Sequence, residues 1–144
     1  MNQEKYKEIV KELAPKTNYI KKSFFAFLMG GSISMIAQII NLLLENNTDI
    51  IMEDRVVIIM FIFIFVGAIL TGLGIFDNLV QIFGAGLFIP ITGFSNAVCS
   101  EAMEYKSEGP IYGIGANMFK LAGSVITYGV VTSIILSLIY ALFI

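Results

Sequence analysis

The chain has 144 residues, 57% of them hydrophobic, with a mean hydropathy of +0.84 and a formal net charge of −2. A soluble domain of this length needs far more polar surface, so composition predicts an integral membrane protein of the all-α, polytopic class. One cysteine (Cys99) and no histidine exclude an intrachain disulfide framework and histidine-based metal sites. Neither a cofactor nor a nucleic-acid partner is expected.

Residues 1–22 hold six of the nine basic residues and three acids, whereas the segment 45–55 holds four acids and one arginine, Arg55. The positive-inside rule therefore places the N-terminus in the cytoplasm. Tyr6, Ile9, Val10 and Leu13 oppose lysines and glutamates, which predicts a short amphipathic lead-in ending near Pro15. It serves either as an interfacial lead-in or as a partner-docking helix. It is not a cleavable signal, because the apolar run from Phe24 is too long and no A-x-A-type site follows it.

The first span is expected over residues 23–44. Gly31, Ser34, Gln38, Asn41 and Glu45 recur every three or four residues along one face of it, suiting either helix packing or pore lining. The second span is expected over 56–75. Its opening VVIIMFIFIFV would suggest a strand in water, but in lipid only a helix satisfies its backbone. Ala68 and Gly72, four apart, offer a close-approach face.

Residues 77–105 break this pattern. A helix-like piece meets Pro90, flanked by Gly86 and Gly93, and then Thr92, Ser95 and Asn96 follow. Twelve helical residues rise only about 18 Å, too short to cross a bilayer. A re-entrant or hairpin element is predicted, with ordinary paired helices as the alternative. The last apolar segment, 111–143, would be about 51 Å long as one helix. It is expected to tilt steeply or to break near Gly123 or Gly129.

The candidate site residues fall in and around the break. GIFDNLVQIFGAG from Gly74 and GIGANMFKLAGSV from Gly113 share a frame that aligns Asn78 with Asn117, Gln81 with Lys120 and Gly84 with Gly123. In each copy an amide and a longer polar side chain share a helix face. The similarity does not extend backwards, since Val56–Gly72 would align with polar sequence, so what remains is two short helices flanking the break. Asp77, Asn78, Gln81, Ser95, Asn96, Asn117 and Lys120 are therefore the candidates for a solute path, because polar groups at membrane depth usually face a bundle interior or water. Lys120 either pairs structurally with Asp77 or simply snorkels; a solute-contacting cation is the alternative. Glu101, Glu104 and Glu108 fall at i, i+3 and i+7, either a solvated face or an acidic vestibule that could meet calcium. No Walker A loop, HExxH or GxSxG elbow is present, and an intramembrane aspartic protease needs a second aspartate, so no catalytic residues are assigned. Cys99 reads as a small apolar filler.

The order of these pieces, and above all PITGFSNAVCSEAMEYKSEGPIYGIGANMFKLAGSVITYG, resembles the stage V sporulation protein AC family and its shorter AE paralogue. The resemblance runs from about Lys16 onwards. It implies a subunit of a spore inner-membrane complex that moves dipicolinic acid, as its calcium chelate, into the forming spore and out at germination. It also implies an oligomer, an AE-type membrane paralogue and a soluble AD component as partners. A non-conducting scaffold of the same complex is the alternative, and tension-responsive gating is a variant of the first reading.

Overall fold

The computed structural model describes Tyr6 and residues 18–143, and every regular element among them is helical. The expected amphipathic lead-in therefore falls outside the described residues up to residue 17, Tyr6 excepted. Helix α1 spans Tyr19–Asn47. Asn18 starts it, its side chain accepting a hydrogen bond from the Lys21 N–H at 3.2 Å and so satisfying one orphan donor of the first turn. Helix α2 spans Met52–Gly72, with Glu53 and Asp54 in its first turn, where carboxylates complement the helix dipole.

Glycine geometry sets where α2 stops. Gly74 has φ of +70°, the Ile75 N–H donates to Leu70 O and the Gly74 N–H donates to Thr71 O, both at 2.9 Å. This is a Schellman motif, which closes the last carbonyls with a left-handed residue. The span thus ends earlier than the expected residue 75, because the left-handed turn intervenes.

Three short helices follow: α3 (Phe76–Phe83), α4 (Ala85–Phe88) and α5 (Ile91–Glu104). Gly84, with φ of +52°, turns α3 into α4, and Pro90 precedes the first residue of α5. Proline fits a helix start because it lacks the N–H that would be orphaned there. Gly86 and Gly93 do not mark breaks. A Cβ on Gly86 would overlap the backbone carbonyl of Ala26, and one on Gly93 would overlap that of Phe88. They permit close approach instead.

A 3-10 turn, Tyr105–Glu108, and a π-helical segment, Pro110–Gly115, lead into α6, Ala116–Phe143. The break expected near Gly123 or Gly129 is absent, because α6 runs unbroken through both glycines. With no competing water, the main chain of a lipid-facing helix holds its own hydrogen bonds and tolerates them. The irregularity sits earlier, where the Ile114 N–H reaches back five residues to Gly109 O at 3.0 Å.

Among the described residues, three helical stretches are long and apolar enough to cross a membrane: Tyr19–Asn47, Met52–Gly72 and Pro110–Phe143. Between the second and third, α3–α5 pack back onto the bundle. Phe83 meets Phe25 edge to face with centroids 6.3 Å apart, Gly86 lies on Ala26, and α5 lies along the last third of α2. Among the described residues, only Phe76 and Leu87 are buried large hydrophobics, both in the broken region. The rest of the apolar surface faces outwards, as expected for a chain whose solvent is lipid.

Candidate functional site

Helices α2 and α5 share the most extensive contact in the fold, and it is polar. Thr92, Ser95, Asn96 and Cys99 lie at i, i+3, i+4 and i+7 of α5 and so form one stripe. The Ser95 hydroxyl donates to Ile64 O at 2.6 Å, and the Cys99 thiol approaches Ala68 O at 3.6 Å. Thr71 Oγ1 lies 2.7 Å from Gly67 O and 2.8 Å from Asn96 Oδ1. A hydroxyl has one proton. With the Asn96 amide turned by 180°, its NH₂ donates to Thr71 and the threonine donates to Gly67 O, so both contacts are satisfied. Thr92 donates to Leu87 O at 2.8 Å, which ties the α4–α5 corner. Thr71, Thr92, Ser95 and Asn96 are all buried.

This seam is close because Gly67 has no side chain. A Cβ there would sit 3.1 Å from both Ser95 Cβ and Thr92 O. The small-residue face expected at Ala68 and Gly72 is thus displaced by one position. Ala68 does meet α5, but Gly72 is open, with nothing within 4 Å of where a methyl group would sit. The pair that seats α5 is Gly67 and Thr71.

A second polar feature lies between α5 and the start of α6. Glu101, Asn117, Lys120, Leu121 and Ser124 line an open cleft of about 310 Å³. The π-helical turn places Asn117 there: its amide donates to Gly113 O at 2.9 Å, capping a carbonyl at the point where π geometry returns to α. Gly113 is required at this corner, since a Cβ would lie 2.9 Å from Glu108 Cβ. The Ser124 hydroxyl donates to Leu121 O at 2.7 Å. Lys120 and Glu101 face the same cleft without touching. Among the described residues the single ion pair within 4.0 Å is Arg55 with Glu45, at 3.6 Å.

The expected site residues therefore divide into three groups. Ser95 and Asn96 are sealed in the seam. Asn117 and Lys120 line the cleft. Asp77, Asn78 and Gln81 lie exposed on α3. The expected Asp77–Lys120 pair does not form; the acid across from Lys120 is Glu101. The acidic triplet does not form one helix face either. Glu104 ends α5 and the chain tightens into the 3-10 turn before Glu108, leaving Glu101 half-buried and the other two exposed. Among the described residues, no three of His, Cys, Asp or Glu converge to hold a metal ion. The two aligned motifs also differ in structure: one is the eight-residue α3, the other a π turn and the first turns of a 28-residue helix.

The roles of Gly67 and Thr71, and the placing of Glu101 and Lys120 on one cleft, were not foreseen from the sequence. The first two carried a signal, a second four-residue small spacing one position from Ala68 and Gly72.

Three lipid-grade helices around a short, internally hydrogen-bonded broken element define a polytopic helical membrane protein. Residues 22–139 match the family described as SpoVAC/SpoVAEB sporulation membrane protein, and the chain belongs to that family. It is 42% identical over 136 residues to stage V sporulation protein AC of Bacillus subtilis (strain 168), covering 94% of this chain and 91% of that relative. No solved structure matches it significantly.

Proposed function

We propose that this chain is a subunit of a spore inner-membrane channel or transporter for dipicolinic acid as its calcium chelate, with its N-terminus in the cytoplasm. The observation that carries the reading is the α5–α6 cleft, whose lining includes a carboxylate (Glu101), an ammonium (Lys120) and an amide (Asn117), with no ion pair between the first two. Dipicolinate has two carboxylates and a ring nitrogen, and its calcium chelate is nearly neutral and strongly hydrated. A passage for such a solute is best lined by weak donors and acceptors with balanced charge, since strong binding delays exit. At about 310 Å³ the cleft is at the lower end of small-molecule sites, which run from about 300 to 1,000 Å³. Partners that complete the wall are an AE-type paralogue or further copies of the chain, with a soluble AD component at the membrane face.

In this reading α3–α5 are re-entrant. They meet α1 at Phe25, Ala26 and Gly30 and α2 at Ile64, Gly67, Ala68 and Thr71, which supports entry and exit on one surface. Asp77, Asn78 and Gln81 then stand at the mouth, with Glu104 and Glu108 as an acidic vestibule.

The test is calcium dipicolinate efflux from liposomes, with the protein alone and then with its membrane paralogue. Lys120→Leu should insert normally and lower efflux about tenfold or more, the effect of losing roughly 1.4 kcal/mol of attraction. Lys120→Arg should retain most of it. Equal efflux from all three proteins would remove the cleft from the path. The scaffold reading is favoured by one observation, the commitment of Ser95 and Asn96 to hydrogen bonds within the fold. It requires that Lys120→Leu release the partner proteins in a pull-down before it changes efflux through assembled complex.

A further inference from the structure

The two walls of the α5–α6 cleft are held in different ways. Glu101 stands on α5, which the seam fixes to α2 through Ser95 and Asn96. The other wall, Asn117, Lys120, Leu121 and Ser124, lies wholly on α6, downstream of the π-helical segment Pro110–Gly115. Every residue from 124 to 143 is exposed, so past its first turns α6 has no packing within its own chain to fix its rotation. Which residues of α6 line the cleft is therefore set by the π segment and the turns that directly follow it.

That segment sits between two hydrogen-bond registers. Gly109 O accepts the Gly113 N–H at 3.1 Å, the four-residue step of an α-helix, and the Ile114 N–H at 3.0 Å, the five-residue step of a π-helix. The Ala116 N–H is likewise shared between Ile111 O, five residues back, and Gly113 O, three back. In an α-helix Gly113 O would take the backbone N–H of Asn117; here the Asn117 side-chain amide donates to it at 2.9 Å. Gly115 suits this winding because it has no side chain. A Cβ there would stand 3.2 Å from Pro110 O, the carbonyl five residues back.

A π segment holds one residue more than an α-helix that turns through the same angle. Rewinding it to α, with Gly109 and α5 held still, turns everything downstream by one residue, about 100°. Phe119, now 77% exposed, then takes the place of Lys120, while Lys120 takes that of Leu121 and Gly123 that of Ser124. An aromatic ring replaces an ammonium in the cleft wall.

We infer that Pro110–Gly115 is a register switch, which presents Lys120 to the cleft in its π winding and Phe119 in the same place in its α winding. Asn117 is the positioning residue of the π winding, through the bond from its amide to Gly113 O. The consequence for passage rests on the cleft being the solute path, as proposed above; the switch itself does not.

The test uses full-length protein in phosphatidylglycerol/phosphatidylethanolamine vesicles, with Cys99→Ser removing the native thiol. Glu101→Cys is combined with either Lys120→Cys or Phe119→Cys, and the rates of linkage by a short bis-methanethiosulfonate reagent are compared. In this background the pair with residue 120 should link faster. Gly115 is not in the cleft wall, and Gly115→Ala favours the α winding. It should lower the ratio of the 120 rate to the 119 rate about threefold or more, the shift that alanine's helix preference over glycine gives. Asn117→Ala should act in the same direction. Asn117→Ser should restore the ratio, because a serine hydroxyl can donate to the carbonyl four residues back. Deleting Ile114 removes the extra residue itself, so it should straighten the segment and leave residue 120 favoured. The proposal is overturned if Gly115→Ala and Asn117→Ala both insert without lowering the ratio, if residue 119 links faster in the starting background, or if deletion of Ile114 abolishes the preference for 120. No solute enters these measurements. Unchanged calcium dipicolinate efflux from Gly115→Ala protein with a lowered ratio would support the switch and remove the cleft from the path.

Discussion

Replacing Gly67 by alanine puts a methyl carbon 3.1 Å from Ser95 Cβ and from the backbone oxygen of Thr92, and 3.2 Å from Ser95 Oγ. Neither helix can yield by a side-chain rotation alone, because one of the crowded atoms is main chain. Overpacking of this kind costs about 1–3 kcal/mol. Against it stands the helix preference of alanine over glycine, about 0.5–1 kcal/mol. The net expectation is a loss centred on about 1 kcal/mol, together with a lengthened Ser95–Ile64 hydrogen bond. Gly72 is the internal control. It lies five residues along the same helix with nothing within 4 Å of the added carbon, so alanine there should keep its propensity gain of about 0.5–1 kcal/mol. Unfolding by SDS titration of bicelle-reconstituted protein measures both. A Gly67→Ala variant as stable as the parent, or a Gly72→Ala variant that is the more damaged of the two, would refute a close-packed seam at Gly67.

The seam gives a second expectation. Asn96→Ala and Thr71→Val should each cost about 1–3 kcal/mol, and the double variant should fall short of their sum by about 1 kcal/mol, as a shared hydrogen bond requires. A coupling of zero in the double-mutant cycle would mean that the two side chains do not meet. At the α1–α2 turn the effect is smaller: the Arg55–Glu45 pair is 3.6 Å apart and the Glu45 side chain is 51% exposed. Glu45→Gln should change stability by less than about 1 kcal/mol in the same titration.

How far these features could be read from the sequence depended on the scale of the force behind each. The helical membrane class follows from bulk hydropathy and from the impossibility of unpaired backbone in lipid, so VVIIMFIFIFV could be assigned to a helix against its β-branched composition. The corner at Pro90 was legible because proline leaves a mark on any helix. The corners at Gly74 and Gly84 were not, since thirteen glycines are present and only three, with Gly109, adopt positive φ. Gly123 and Gly129 have the same composition signal and sit in an uninterrupted helix. Tertiary pairing was harder again. Asp77 and Lys120 are the oppositely charged residues of the aligned motifs, but a π-helical segment precedes α6, and Lys120 shares a cleft with Glu101. Such a change of helical phase has no local signature beyond a proline and two glycines. The seam was half legible: the polarity of Ser95 and Asn96 was evident, but the partner of Ser95 is a backbone carbonyl, which looks alike in every sequence, and that of Asn96 is a threonine hydroxyl twenty-five residues away.

The one-sided packing of α3–α5 has a further consequence for the bilayer. In the re-entrant arrangement proposed for α3–α5, the surface where α1 begins carries helical hairpin material beside the spanning helices, whereas among the described residues the opposite surface carries the helix ends and a short turn. Each copy consequently displaces more lipid from one leaflet than from the other. Lateral pressure in the two leaflets then acts on unequal areas of protein. Adding a single-chain lipid to one leaflet would do mechanical work on this chain of opposite sign to adding it to the other.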